Sequence, residues 1–365
     1  MEGDKLTDYS YKLSERYNKI NTKYIELIAK QVKDIGRITP SNVFRLEQMA
    51  KFNENVKKIN DMIMIANEIT LKELYEIYDK SGFEEYKKTN YLYMARHIEQ
   101  PKFENNYFIQ SQIGAIRELT KGTFDNLSLT TAMSQSYKDL VDLSVQSVLE
   151  GVSDYNSEIR GALEKTVLQG ASIQYRSGYR RRLDSAVRMN IIDGVKQVNN
   201  AVRVETGKQY GSDGVEISAH ALCAEDHIPI QGKQYSNAQF IFINQQLKRH
   251  ISTCNCKHFI KPIILGISTP TYTDDELEDF KTNSEKSVDI NGVTMTKYQA
   301  SQQMRKIETE IRKQKDLYIA AKNLDDDVLK AKSKKKIKSL QLLYKDVSDK
   351  AGLSMQPERL FVSEY

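Results

Sequence analysis

The chain has 365 residues, of which 28% are charged and 39% hydrophobic, and its net charge of +5 is too small to indicate a nucleic-acid binder by itself. Its longest apolar runs, residues 62–66 and 259–267, are too short to cross a bilayer, and its charged opening residues predict no signal peptide. Three cysteines, two of them separated by one residue, do not resemble a disulfide framework. We therefore expect no membrane partner and a reducing compartment. With only 17 Gly and 6 Pro, long uninterrupted helices are expected.

The first segment, residues 1–105, is predicted to be helical. Apolar residues recur every three or four positions over about residues 6–35, which predicts a first helix. Thr39-Pro40 has the pattern of an N-cap followed by proline and predicts the start of a second helix. Thr70 and Glu73 have the spacing of a capping box, which predicts that a third helix begins there.

The second segment, residues 106–204, is also predicted to be helical, with a break at Gly151 and Ser153-Asp154. An amphipathic helix is predicted from about Ser177 to Val204. Its apolar face consists of Leu183, Val187, Ile191, Val195, Val198 and Val202.

The third segment, residues 205–270, is the only part with a strand pattern, and we call it the central module. Residues 215–219 alternate as a strand does, and residues 259–264 are apolar and β-branched. A turn at Gly232 leads into a further short extended piece. The fold class predicted is mostly α, with long helical N-terminal and C-terminal segments flanking a small α+β module.

The fourth segment, residues 271–365, is predicted to return to helix. Glu308 and Arg312 have the spacing of an ion pair on its exposed side. A lysine-dense stretch, residues 330–338, is placed before the last predicted helix.

The side chains that carry chemistry are concentrated in the central module, which holds four of the five histidines and all three cysteines. Three residues separate Cys223 from His227, and three separate Cys254 from His258. On a helical turn or tight loop, that spacing points both side chains of a pair the same way. The two pairs predict a structural zinc site with Cys223, His227, Cys254 and His258 as ligands.

Other interpretations of the cluster remain open. Cys256 and His220 are spare donors, and the cysteines can instead be small buried hydrophobic residues beside histidines that satisfy local polar groups. Alternatively, Cys223 or Cys256 acts as a nucleophile with a nearby histidine, oriented by Asp226. No nucleophile elbow, oxyanion loop or Gly-rich phosphate cradle accompanies such a pair. We therefore predict no catalytic residues and no cofactor beyond a structural zinc ion.

Two basic clusters can contact phosphate. They consist of Arg180, Arg181 and Arg182, and of Lys334, Lys335 and Lys336. A solvated helix face or an acidic protein partner accounts for them equally well. Any DNA binding through them is expected to be nonspecific.

Several short motifs occur in an order that resembles the minor capsid protein 2 family of tailed phages, a branch of the Mu-F-like minor head proteins. The motifs are Tyr175-Arg176-Ser177-Gly178-Tyr179, Val215-Glu216-Ile217-Ser218-Ala219-His220, Gln231-Gly232-Lys233-Gln234-Tyr235-Ser236, Asn255-Cys256-Lys257-His258, the charged residues Gln303 to Lys315, and Ala351-Gly352-Leu353. They cover roughly residues 150–365. Lys257 stands where the family usually has Arg, and residues 223–227 differ from the usual run, so the resemblance does not imply a metal site that uses Cys223.

The resemblance implies a structural, non-enzymatic protein of the phage head, assembled in the bacterial host cytoplasm. Its expected partners are the portal protein and the major capsid protein, and its expected role is in head assembly or in DNA packaging or ejection. Two alternatives stay open at this point. One is an enzyme or toxin-like module carried by the head, such as a zinc-dependent hydrolase, and the other is a nonspecific DNA-binding head protein.

Overall fold

A computed structural model describes residues 3–36, 43–130, 133–150, 157–175, 179–253 and 256–365. The fold is 72% helical, which confirms the predicted mostly α class. The helices are α1 (Gly3–Ile35), α2 (Phe44–Leu92), α3 (Tyr107–Thr130), α4 (Met133–Leu149), α5 (Ser157–Gln169), α6 (Leu183–Gln209), α7 (Asn237–Gln246), α8 (Asp274–Glu285), α9 (Lys297–Leu324) and α10 (Asp327–Ala351). The strands are β1 (Ser172–Gln174), β2 (Arg180–Arg182), β3 (Gly214–Ile217), β4 (Gln234–Ser236), β5 (Ile260–Ile263), β6 (Ser287–Ile290) and β7 (Val293–Thr296). Short 3₁₀ turns cover Met94–Arg96, Phe103–Asn105 and Pro357–Leu360.

The chain forms two compact units, each built from three separate stretches. The first unit comprises Met1–Ser10, Thr70–Thr123 and Met189–Gln302, and the second comprises Tyr11–Ile69, Phe124–Arg188 and Gln303–Tyr365. The four segment boundaries expected from sequence stay a prediction. Of the helices in the described part of the chain, none combines the length and the apolar character needed to cross a membrane.

In the second unit, buried polar side chains hold α1 and α2 antiparallel. The Tyr17 hydroxyl donates to Asn67 Oδ1 at 2.7 Å, and Gln31 Nε2 donates to the Gln48 carbonyl at 2.9 Å. The apolar stripe predicted for α1 is confirmed, because its members from Leu13 to Val32 are buried. Apolar burial stabilises the pair of helices, and the hydrogen bonds fix how they are aligned.

A buried network of two arginines and two aspartates connects β2, α6 and α9 in the second unit. Arg182 donates to Asp184 Oδ1 at 3.1 Å and also to Asp316. Arg312 donates to Asp184 Oδ2 at 3.3 Å, so the charges balance. Burial raises the pKa of Asp184, but Arg182 and Arg312 outweigh it and hold that pKa at about 2. Asp184 is therefore ionised at neutral pH.

This network corrects two predictions. The arginine cluster is not part of α6 but forms β2, which pairs antiparallel with β1. Arg182 is buried and is bonded to two aspartates. Glu308 and Arg312 are not an exposed pair. Glu308 accepts from the Tyr344 hydroxyl at 2.8 Å in a buried position, while Arg312 turns to Asp184. The spacing alone did not reveal that both side chains have closer partners on other elements.

Helix α2 is longer than predicted, because it continues without a break through the capping-box pattern. Thr70 is fully buried inside the helix, and its hydroxyl has no hydrogen-bond partner in the part of the chain that the structure describes. A Thr at an N-cap is favoured only where free backbone amides exist. The predicted third helix start is therefore wrong. The predicted cap at Thr39-Pro40 and the break at residues 151–154 lie outside the described residues.

The central module lies in the first unit and is organised by a three-stranded antiparallel sheet of order β4-β3-β5. Strand β3 is buried along its whole length, and Val215 pairs with Tyr235 on one side and Pro262 on the other. The predicted strands are thus confirmed. The hairpin β6–β7 was not predicted, although its Asn291-Gly292 turn, with both residues at positive φ, is a strong hairpin signal.

The Arg182 network gives a stability prediction. Replacing Arg182 with Ala leaves the buried Asp184 and Asp316 with an unbalanced negative charge. We therefore expect the free energy of unfolding to fall by about 3–5 kcal/mol. Arg180→Ala on the same strand is the matched control, because its guanidinium is exposed and bonds only the amides of Gln169 and Gln174 among the described partners. It is expected to cost about 0.5 kcal/mol or less. Urea denaturation of both purified variants measures the difference, and equal losses would contradict the network's role.

Candidate metal centre

Two loops beside the sheet carry the Cys/His cluster. The first follows β3 and contains His227, whose amide donates to the Ala224 carbonyl at 2.9 Å in a tight turn. The second precedes β5 and contains Cys256 and His258. Because β3 and β5 pair side by side, residues about thirty positions apart in sequence are brought together.

Three donor atoms face one another at the centre of this cluster. His227 Nδ1 and His258 Nδ1 are 3.3 Å apart. The Cys256 sulfur lies 3.8 Å from the first nitrogen and 3.4 Å from the second. All three residues are buried, and their donor atoms form the one group of His, Cys, Asp or Glu atoms in the described residues that is close enough to hold a metal ion.

The outer nitrogen of each ring faces an acceptor. His227 Nε2 lies 2.8 Å from the Arg249 carbonyl oxygen, and His258 Nε2 lies 3.0 Å from Gln231 Oε1. Gln231 Oε1 also accepts the His220 amide at 3.1 Å, which identifies that atom as the oxygen. Each neutral imidazole is therefore protonated on Nε2 and presents a lone pair on Nδ1.

The electrostatic surroundings differ from one residue to the next. Burial and the nearby His220 and His227 lower the pKa of His258 to about 3, so His258 is neutral. Burial raises the pKa of the Cys256 thiol, but contact with His227 outweighs it and lowers that pKa below its usual value. The pKa of His227 is raised by Cys256 and the Arg249 carbonyl against the opposite effect of burial. Burial alone accounts for most of the rise in the Cys223 pKa to about 11.

The structure brings together only part of the predicted zinc set. His227 and His258 are neighbours, as expected, and the sulfur between them belongs to Cys256, a spare donor in the predicted set. Cys223 is buried but is not one of the three converging donors; it lines a separate cavity with Ile228 and Ser284. Cys254 lies outside the described residues, so its role as a ligand stays a prediction.

The nucleophile interpretation loses its orienting carboxylate. Asp226 Oδ1 is 3.9 Å from His227 Nε2, beyond hydrogen-bond distance, and its other oxygen accepts the Lys248 amide at 3.1 Å. A backbone carbonyl orients His227 instead. Cys256 is only 4% exposed, which leaves a substrate little access to the sulfur.

Supporting contacts hold both loops in place. His220 stacks on His258 with ring centroids 4.3 Å apart. The half-buried Lys196 on α6 donates from its amine to the Cys256 carbonyl, and the Ser252 hydroxyl donates to the His258 carbonyl at 2.7 Å. No pattern in the sequence indicated Lys196 or Ser252, because their contribution depends on tertiary contacts.

The turn at Gly232 places Gln231 against His258. Gly232 has φ of +71°, and its amide donates to the Ile217 carbonyl at 2.8 Å. A Cβ atom here would lie 2.3 Å from a methyl carbon of Leu277. Both the backbone conformation and the close approach of α8 therefore require glycine.

Comparison with known proteins supports one family. The sequence profile of phage minor capsid protein 2 matches residues 1–347, nearly the whole chain. No curated protein and no solved structure matches the chain.

The Gly232 turn gives a prediction with a matched control. Gly266→Ala changes a glycine of similar φ, +73°, that has open space around it. Its only cost is that of placing alanine in the left-handed backbone conformation, which lowers the free energy of unfolding by about 1–2 kcal/mol. Gly232→Ala carries the same penalty and also displaces Leu277, which adds about 1–3 kcal/mol. Urea denaturation of the two variants measures the difference. Equal losses would show that the contact with Leu277 is readily relieved.

Proposed function

Because the chain belongs to the phage minor capsid protein 2 family, we propose that this minor capsid protein docks at the portal vertex inside the phage head and takes part in head assembly or DNA packaging. The observation that carries the proposal is the match over residues 1–347. The proposed neighbours are the portal protein and the major capsid protein.

The distribution of chemistry along the chain supports a docking role. Most of the molecule consists of helices, and charged groups buried between them pair with one another, as in the Arg182 network. Within the described residues, the cluster with metal-binding potential is buried in the central module. A protein of this kind offers its neighbours extended surfaces rather than an open catalytic centre.

Exposed apolar side chains in the first unit provide candidate anchors. Tyr107 and Phe108, at the start of α3, are 78% and 62% exposed and contact each other edge to face. Tyr91 and Leu92 at the end of α2, and Met94 in the 3₁₀ turn that follows, are also exposed. Aromatic side chains are common energetic anchors of protein interfaces, and exposed apolar patches on a protein surface mark interaction sites.

A second candidate function, nonspecific DNA contact, rests on α10. The predicted lysine stretch lies inside this helix rather than before it. Lys330 and Lys332 pair with Asp327 and Glu164. In contrast, the exposed Lys334, Lys335 and Lys336 have no ion pair with any residue that the structure describes. Such lysines are free to neutralise phosphates.

The docking proposal is tested by complementation. Phage lacking this gene are expected to yield few filled, infectious heads, and a plasmid copy restores them. A copy carrying Tyr107→Ser and Phe108→Ser is expected to fold but to enter particles in fewer copies, because its anchors no longer bury apolar surface. Quantitative mass spectrometry of purified particles and cryo-electron microscopy of the portal vertex are the measurements.

Leu342→Ser is the matched control, because Leu342 is 63% exposed but lies on α10 in the second unit. It is expected to enter particles normally. Normal, filled and infectious heads without the gene would refute the docking role, and density for the chain away from the portal vertex would refute the location.

The DNA candidate gives a salt-dependence prediction. We assume that Lys334, Lys335 and Lys336 each contact a phosphate. Changing all three to Gln is then expected to reduce the magnitude of the slope of log affinity against log salt concentration by about 3. Lys330→Gln with Lys332→Gln is the control on the same helix, and it is expected to change the slope little because both lysines are already paired. Fluorescence anisotropy with duplex DNA at several salt concentrations provides the slopes. A wild-type affinity that does not depend on salt would exclude these contacts.

A further inference from the structure

The three donor atoms of the cluster have the separations of a tetrahedral zinc site. Zn–N bonds of about 2.0–2.1 Å and a Zn–S bond of about 2.3 Å place two nitrogens about 3.4 Å apart and a nitrogen about 3.6 Å from the sulfur. The separations in the protein are 3.3 Å for the two nitrogens and 3.4 and 3.8 Å for the nitrogen–sulfur pairs. The three separations therefore match those around a single zinc ion.

The hydrogen bonds around the rings favour a cation at that point. Both Nε2 atoms donate outward, to the Arg249 carbonyl and to Gln231 Oε1. Both Nδ1 atoms consequently direct lone pairs into the same small space. The Cys256 thiol has one proton and can donate it to only one of them. Without a further positive charge, at least one of these two Nδ1 lone pairs, whose nitrogens are 3.3 Å apart, is buried without a donor, which costs free energy.

We propose that His227, Cys256 and His258 bind one zinc ion through Nδ1, Sγ and Nδ1. Binding converts the thiol to a thiolate and releases its proton to solvent, so the ion gains a sulfur ligand and the site retains a net charge of +1. The three residues occupy three tetrahedral positions and leave the fourth for another ligand. Gln231 and the Arg249 carbonyl are the outer partners that fix ring orientation, as is usual for metal-bound histidines.

The proposed ion stabilises a module whose apolar core is small. The core cluster around the sheet consists of the buried residues Val215, Ile217, Ile251, Cys256 and Ile260. A metal joining the loop after β3 to the loop before β5 would cross-link the two sides of this core. Structural zinc contributes directly to folding in small modules of this kind.

A cleft lies on the same unit beside one of the proposed ligands. His258 borders a cleft of about 930 Å³ that is also lined by Lys257 and Phe259. His258 is otherwise 1% exposed, so the proposed ion is shielded once it is bound.

Metal analysis of the full-length protein tests the proposal. After incubation with zinc sulfate and desalting, the wild type is expected to hold one zinc ion per chain. Inductively coupled plasma mass spectrometry measures the zinc content. Cys256→Ser is expected to lose it. Cys223→Ser is the matched control, because it removes a buried cysteine outside the donor group, and it is expected to retain the ion. Circular dichroism checks that both variants are folded.

Two further measurements apply if Cys256→Ser does not fold. Gln231→Ala keeps all three ligands and is expected to weaken zinc binding about 10–100-fold by freeing the His258 ring. Cobalt bound to the wild type is expected to show a thiolate-to-metal absorption band in the near ultraviolet. A wild type that takes up no zinc, a folded Cys256→Ser variant that binds zinc as tightly as the wild type, or a cobalt spectrum without the thiolate band would each overturn the proposal.

Discussion

The need to pair polar groups buried between helices is the constraint on which this structure depends. A buried polar group without a partner costs more than a typical hydrogen bond contributes, so each such group selects one arrangement of its neighbours. In the second unit, Asn67 shows how one residue does this for three helices. It accepts from Tyr17 on α1 and donates to the Phe124 carbonyl on α3. An apolar stripe tolerates sliding along a neighbouring helix, whereas a pair of directional bonds does not.

The same constraint acts with charges in two places. In the second unit, Arg182 and Arg312 are matched by two aspartates, so four ionisable groups are buried with no net charge. In the first unit, Glu85 on α2 binds the Arg203 guanidinium on α6 through both of its oxygens, at 2.6 and 2.9 Å. Bidentate pairs are among the strongest directional contacts in proteins. The Cys/His cluster is different, because the outer nitrogens of His227 and His258 face acceptors while their inner nitrogens and the Cys256 sulfur converge on one point.

Much of the helical fold was predictable because it is specified by periodic burial. Every residue of the predicted apolar face of α6, from Leu183 to Val202, is fully buried. The errors occurred where a local signal competed with packing. Thr70 and Glu73 have the spacing of a helix start. However, Thr70 is buried in the middle of α2, and the helix continues through both residues. The β6–β7 hairpin is a different case, because its Asn291-Gly292 turn is a hairpin signal in the sequence itself.

The ligand set shows the limit of spacing as evidence. Pairing Cys223 with His227 assumed that residues four positions apart share one centre, which holds on a helix but not on these loops. Here the register of β3 against β5 decides which side chains meet: Ile217 pairs with Ile260, two positions after His258. That register depends on which strand faces are buried, and it is not encoded near the cysteines. Sequence could therefore identify the module and its donors, but only the sheet could select Cys256 as the sulfur between the two histidines.

Once the internal polar groups are paired, the groups that remain available to other molecules become apparent. On the first unit these include the aromatic side chains Tyr107 and Phe108, and on the second they include Lys334, Lys335 and Lys336. Apolar anchors suit a protein neighbour, because their burial is favourable without a matching charge. Unpaired lysines suit phosphate, because contact releases counterions from the nucleic acid. The two units thus present different chemistry to other molecules.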